Sequence, residues 1–165
     1  MTKPITMIFT IVGIGLFLLG CSNGVMEQTP HLEGSKPPKV VLNIGDKTYD
    51  TILGSYCWPT AEDSQTCIDT PGPMDLLEDK DSVVVKKGEM IEIDMDYKPL
   101  PNEVHVLQMM EKEGEEKSVE FNNSRIMAPE EKGVYYYMFS VWWKDDVEPD
   151  VSHGDAFYAF ALKVE

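Results

Sequence analysis

The chain predicts an all-β sandwich, on three observations. From Lys39 onward it falls into short runs rich in Val, Ile, Tyr, Phe and Trp. Gly, Pro, Asp and Asn punctuate those runs at intervals that suit strands joined by turns. No stretch after residue 38 carries a long apolar period of 3.6 residues, so no long helix competes for the core.

Taken in order, Val40, Leu42 and Ile44 alternate with Val41 and Asn43, and Gly45-Asp46 supplies turn chemistry before Lys47 to Leu53, an opening hairpin. Trp58 to Asp69 shows little strand pattern and reads as a loop. Val83 and Val85 share one side of a short strand, Lys87-Gly88 turns, and Ile91, Ile93, Met95 and Tyr97 then alternate with Glu92, Asp94 and Asp96. Glu103 to Met110 continues the alternation through Val104 and Val106. The charged run 111–117 reads as a solvated turn, and Val119 to Phe121 and Arg125 to Met127 as short strands around Asn122-Asn123. Tyr136 to Trp143 and Asp155 to Glu165 close the count at about eight strands, the last with Tyr158, Phe160, Leu162 and Val164 on its inner face.

The approach to the penultimate strand, Ala128-Pro129-Glu130-Glu131-Lys132-Gly133-Val134-Tyr135, resembles that of immunoglobulin-like domains. In that family a tyrosine at this corner hydrogen-bonds upstream backbone, and Tyr135 is the position onto which the resemblance carries it. The family's inter-sheet cysteine is absent two residues later, where Tyr137 stands, so the expectation is a generic immunoglobulin-like β-sandwich and not an antibody-type one.

At the other end of the chain, Leu18-Leu19-Gly20-Cys21 closes an apolar run that begins at Ile5 behind a single Lys3, and it resembles the lipobox of bacterial lipoproteins. The run of 15 residues is short of the roughly 20 needed to span a membrane. The resemblance implies cleavage after Gly20, a diacylglycerol on Cys21, and attachment to the cell membrane on its extracytoplasmic face. Residues 1–20 are then a signal peptide. Residues 21–38, rich in Ser, Gly, Gln, Glu and Pro, read as lipid anchor and flexible tether, and 39–165 as one sandwich domain. A domain of that length buries roughly two thirds of its unfolded surface without metals or many crosslinks.

The formal charge is −15, or −16 once Lys3 leaves, and no run of Lys or Arg interrupts it. Nucleic acid and anionic headgroups are repelled, which excludes them as partners. With Cys21 lipidated, Cys57 and Cys67 remain as an even pair outside the membrane, which suggests a disulfide worth about 2.5 to 3 kcal/mol of loop closure. A pair of redox thiols is the competing reading, although the spacing matches neither Cys-x-x-Cys nor a zinc pattern.

The strand from Tyr135 to Trp143 is apolar on both faces, with Tyr135, Tyr137, Phe139, Val141 and Trp143 on one and Val134, Tyr136, Met138, Ser140 and Trp142 on the other. One face of a two-layer sandwich meets the core, so the other, with Phe157, is free to form a binding patch unless another segment covers it. Trp58 either joins that surface or packs over the disulfide. The candidate contact residues are Trp58, Tyr136, Trp142, Trp143 and Phe157. An alternative is a metal site using His105 and His153 with the acidic loop 144–155, whose donors are suitable but whose spacing follows no metal motif. Ser152-His153-Gly154-Asp155 reads as a turn with Gly154 at positive φ, in preference to a nucleophile and base.

The stretches Gly54-Ser55-Tyr56-Cys57-Trp58, Cys67-Ile68-Asp69-Thr70-Pro71-Gly72-Pro73 and Ser152-His153-Gly154-Asp155-Ala156-Phe157-Tyr158-Ala159-Phe160 together resemble a group of uncharacterised lipoproteins from Gram-positive, Bacillus-like bacteria. That resemblance implies location and fold, and no activity. The expectation is a non-catalytic binding module without a cofactor, held to the membrane through Cys21, with a metal-binding envelope protein as the alternative and a thiol redox protein behind it.

Overall fold

A computed structural model describes residues 31–61, 64–110 and 115–165, and within them the alternating runs become strands. In chain order these are β1 (Val40–Ile44), β2 (Lys47–Asp50), β3 (Ile52–Ala61), β4 (Ser64–Ile68), a one-turn helix α1 (Pro73–Leu76), β5 (Val83–Val85), β6 (Met90–Met95), β7 (Glu103–Met110), β8 (Glu116–Ser118), β9 (Arg125–Met127), β10 (Gly133–Lys144) and β11 (Ser152–Val164). One sheet runs β2-β1-β6-β9, and the other β4-β3-β11-β10-β7-β8 with β5 added in parallel to β11. Every other pairing is antiparallel.

The two layers meet where the period-2 pattern directs. Leu42, Ile91, Ile93 and Ile126 of the smaller sheet are buried against Val106, Tyr137, Phe139, Tyr158, Phe160 and Leu162 of the larger. From β5 onward the strand order is immunoglobulin-like, with β6 and β9 in one layer and β7, β8, β10 and β11 in the other. The expected corner is present: Tyr135 is buried and its hydroxyl donates to the carbonyl of Glu131 at 3.0 Å. Tyr137 fills the place of the family's cysteine, stacking on Phe160 at 4.8 Å with rings 5° apart and donating to Gln108 Oε1 at 2.9 Å. Removing only the corner hydroxyl, in Tyr135→Phe, is expected to lower unfolding free energy by about 1 kcal/mol, the net value of one such bond. A denaturant midpoint unchanged from that of the parent chain would show that the corner does not stabilise the fold.

Several elements differ from the expectation, which counted about eight strands where the described residues hold eleven. The segment from Trp58 to Asp69, read as a loop, contributes the end of β3 and all of β4. Every β4 residue is exposed, so the strand has no apolar face to betray it. Positions 116 and 117, read within a solvated turn, form β8 together with Ser118 by backbone pairing to Leu107–Met109, while Val119 to Phe121 is not strand. The strand read through Lys47 to Leu53 is broken at Thr51, which separates β2 from β3.

Leu32 to Pro38, read as the end of a flexible tether, are docked on the sandwich. Leu32 and Pro37 are buried, Trp58 Nε1 donates to the Gly34 carbonyl, and the Tyr158 hydroxyl donates to the Pro38 carbonyl. Tyr97 both accepts from the Glu33 amide and donates to the Glu33 carbonyl. This segment seals one end of the core beside the ring triad Trp58, Tyr97 and Trp143, whose centroids lie 5.1–5.9 Å apart. Gly154 belongs to the same closure. It lies in β11 instead of a turn, and a Cβ there would stand 2.6 Å from Leu32 Cδ1 and 3.2 Å from Trp58 Cε3, so its role is close approach and not positive φ. The apolar run 5–19 and Cys21 lie outside the described residues, among which no helix is long and apolar enough to cross a membrane.

Candidate functional site

The outward face of the larger sheet is built from residues the pleat directs away from the core. On β10, Tyr136, Met138 and Trp142 are half-buried, and Ser140 is buried between them. Register sets their neighbours. Trp142 lies opposite Glu103 of β7 on one side and Asp155 of β11 on the other, and Ser140 lies between His105 and Phe157. The His105 ring stands at 5.4 Å and 83° to that of Trp142, and its Nε2 is 3.1 Å from Glu103 Oε1. Lys144 Nζ lies 3.9 Å from the other oxygen of Glu103. Burial raises the Asp155 carboxyl above its ordinary value, against a backbone hydrogen bond from Cys57 that lowers it.

Helix α1 covers part of this face, seated by Pro73 at its first position. Leu77, just past its end, joins Ala159 and Ala161 in a second small core, against which Ile52, Leu76, Tyr136 and Phe157 pack. Phe157 lies directly over Gly54, where a Cβ would meet its ring at 2.1 Å. The half of the ledge around Trp142 belongs to neither core.

The five predicted contact residues therefore separate. Trp58 and Trp143 are 0% and 1% exposed, so they are core and offer no surface; Trp58 packs against Tyr97 and Trp143, while the pleat directs neighbouring Cys57 to the other face of β3, away from it. Tyr136 and Phe157 line the covered half of the ledge, and Trp142 the open half. Sequence reasoning missed Glu103 and Asp155 as the neighbours of Trp142, because nothing local reports which strands are adjacent.

Cys57 and Cys67 face each other across β3 and β4 and are joined, with Cα atoms 4.1 Å apart; Cys57 is half-buried and Cys67 exposed. The histidines are not brought together. His105 and His153 flank β10 on opposite sides and are offset by three to four residues, about 15 Å between backbones from strand spacing and rise. Each imidazole has its own carboxylate, Glu103 and Asp145, and among the described residues no three His, Cys, Asp or Glu converge on a possible metal position. The paired-histidine metal site is thereby set aside. Ser152 Oγ donates to the Gly154 carbonyl at 2.8 Å while His153 Nε2 lies 2.9 Å from Asp145 Oδ2, so Ser152, His153 and Asp155 do not assemble as a triad.

Asp145 organises the loop between β10 and β11. Its Oδ1 accepts from the Val147 and Glu148 amides at 2.8 and 2.9 Å. The Glu148 and Val147 bonds, followed by that of His153, hold its carboxyl below the ordinary value. A depressed carboxyl stabilises the bonded loop above the ordinary carboxylate pKa and loses that effect as pH falls through the lower folded value. The amide resonances of Val147 and Glu148 should therefore titrate together with a midpoint below the usual ~3.9 of aspartate. A midpoint at or above that value would refute the arrangement.

The fold and this face define a class: an immunoglobulin-like sandwich whose larger sheet carries an aromatic ledge half covered by a short helix. Set against protein-family models, curated proteins and solved structures, the chain matches none.

Proposed function

We propose that this protein is a lipid-anchored, extracytoplasmic binding module that acts through the outer face of its larger sheet and performs no chemistry of its own. The observation that carries the reading is Trp142, half-buried outside both cores and bordered by Glu103, Asp155 and His105. A half-exposed indole edged by hydrogen-bonding groups suits a partner that offers an apolar surface with polar margins. Leu18-Leu19-Gly20-Cys21 supports attachment to the membrane, and the joined Cys57 and Cys67 suit an oxidising compartment. The partner is a protein, another envelope component or a small ligand, not nucleic acid, given the net charge of −15.

A photo-reactive residue at Trp142 in the full chain, expressed in its cells of origin, should yield a discrete adduct that the same residue at exposed Asp46 does not. Equal adducts from both positions, or none from Trp142, would overturn the reading. Cys21→Ala should shift the chain from membranes to the medium; retention in the membrane would remove the lipid anchor. A redox role rests on the exposure of Cys67 alone, and intact mass after mild reductant checks it: a bridge that survives counts against it.

A further inference from the structure

We propose that a groove at the opposite end of the sandwich from Leu32 binds an extended, cationic segment of a partner protein. The chain enters the described fold beside Trp58 and Gly154, whereas the groove lies where β7 ends and β10 begins. Its volume is about 510 Å³, within the range of ligand sites. The floor is apolar, formed by Met110, Val119, Met127 and the buried Tyr135 ring, and Met127 is 57% exposed.

Two features of the groove select its occupant. The first is backbone. β8 and β9 are the last strands of their respective sheets among the described residues and both contribute to the groove; Asn122 takes the outward N–H and C=O of Arg125 in β9, so the open edge is that of β8. An open edge offers unpaired N–H and C=O groups to an added strand, which is how extended peptides dock on sheets. The second is charge. Glu120, Glu130 and Glu131 line the groove against the single Lys117, and among the described residues none of these carboxylates has a salt-bridge partner. A strand with Lys or Arg at alternate positions places cations toward the carboxylates and apolar side chains on the Met and Val floor, because successive side chains point to opposite faces.

The test uses the full chain in a nonionic detergent and the hexapeptide Lys-Val-Lys-Val-Lys-Val with a neutral fluorophore, read by anisotropy at 0.15 M salt. Saturable binding is expected. Glu130→Gln with Glu131→Gln should weaken it about 2- to 25-fold, since each exposed ion pair is worth about 1.4- to 5-fold. Asp46→Asn with Asp79→Asn, equally neutralising but outside the groove, should change it less than twofold. N-methylation of alternate peptide amides should also cost at least fivefold, because it removes donors to the sheet edge. Absence of binding, equal loss in both double variants, indifference to N-methylation, or equal binding of hexalysine would each overturn the proposal. The crosslink from Trp142 is read at a different surface, so either result stands without the other.

Discussion

Trp143→Ala is expected to lower the unfolding free energy by about 3 to 5 kcal/mol, the usual cost of emptying a buried tryptophan site. The ring is 1% exposed and packs edge-on against Trp58 at 5.1 Å and Tyr97 at 5.9 Å. Its Nε1 donates to the Pro99 carbonyl at 2.7 Å, so truncation also removes the bond that ties the loop between β6 and β7 to the core. For a domain of this size each kcal/mol moves Tm by roughly 3 to 5 °C, so a fall of about 10 to 25 °C should appear in a thermal melt, with loss of the near-ultraviolet dichroism of the ring triad. Trp143→Phe, which keeps an aromatic ring in place, should lose less than half as much. A fall under about 3 °C for the alanine variant would mean that the triad does not close the core.

Leu32→Asp is expected to cost about 3 kcal/mol, combining the lost burial of one leucine with a carboxylate pressed against Gly154 and Trp58. Its neighbour His31 is exposed, and His31→Asp should leave the denaturant midpoint nearly unchanged. If residues 31–38 were a free tether, the two substitutions would behave alike. The difference between them therefore measures whether the folded unit begins near Leu32 or near Lys39. For the lipid anchor proposed at Cys21 it would also set the reach, because the chain from Cys21 to the docked Leu32 can span at most ~3.6 Å per residue.

Wherever a residue's surroundings lie within its own strand, they were legible from the chain. The inward set of β10, Tyr135, Tyr137, Phe139, Val141 and Trp143, is buried as the alternation requires. The last strand behaves likewise through Tyr158, Phe160, Leu162 and Val164. Gly45 and Gly88 adopt φ of +57° and +62° in the two turns that carry them, where a side chain would be strained. The corner at Tyr135, which the resemblance to immunoglobulin-like domains implied, is also local, its bond reaching only four residues back.

What could not be read has a common cause. β4 is exposed along its whole length and β8 carries no apolar residue; both are held by backbone pairing to the strand just before them, and backbone pairing sets no side-chain pattern in the sequence. The same holds for Trp58 and Trp142, two tryptophans with opposite fates. Trp58 is buried because Leu32, Tyr97 and Trp143 converge on it from three separate segments, whereas Trp142 stays half-exposed because α1 settles over Ala159 and Ala161 and stops short of it.

By itself, then, the sequence determined the fold class, the strand faces and the cysteine pair available for joining, since each follows from local periodicity, turn chemistry or simple count, and the corner through its resemblance to immunoglobulin-like domains. Strand order, the docking of Leu32, the separation of His105 from His153 and the half of the ledge left open were decided only by tertiary structure. Those outcomes depend on which segments meet across the sandwich, and burial energy selects among such meetings only once the whole chain has packed.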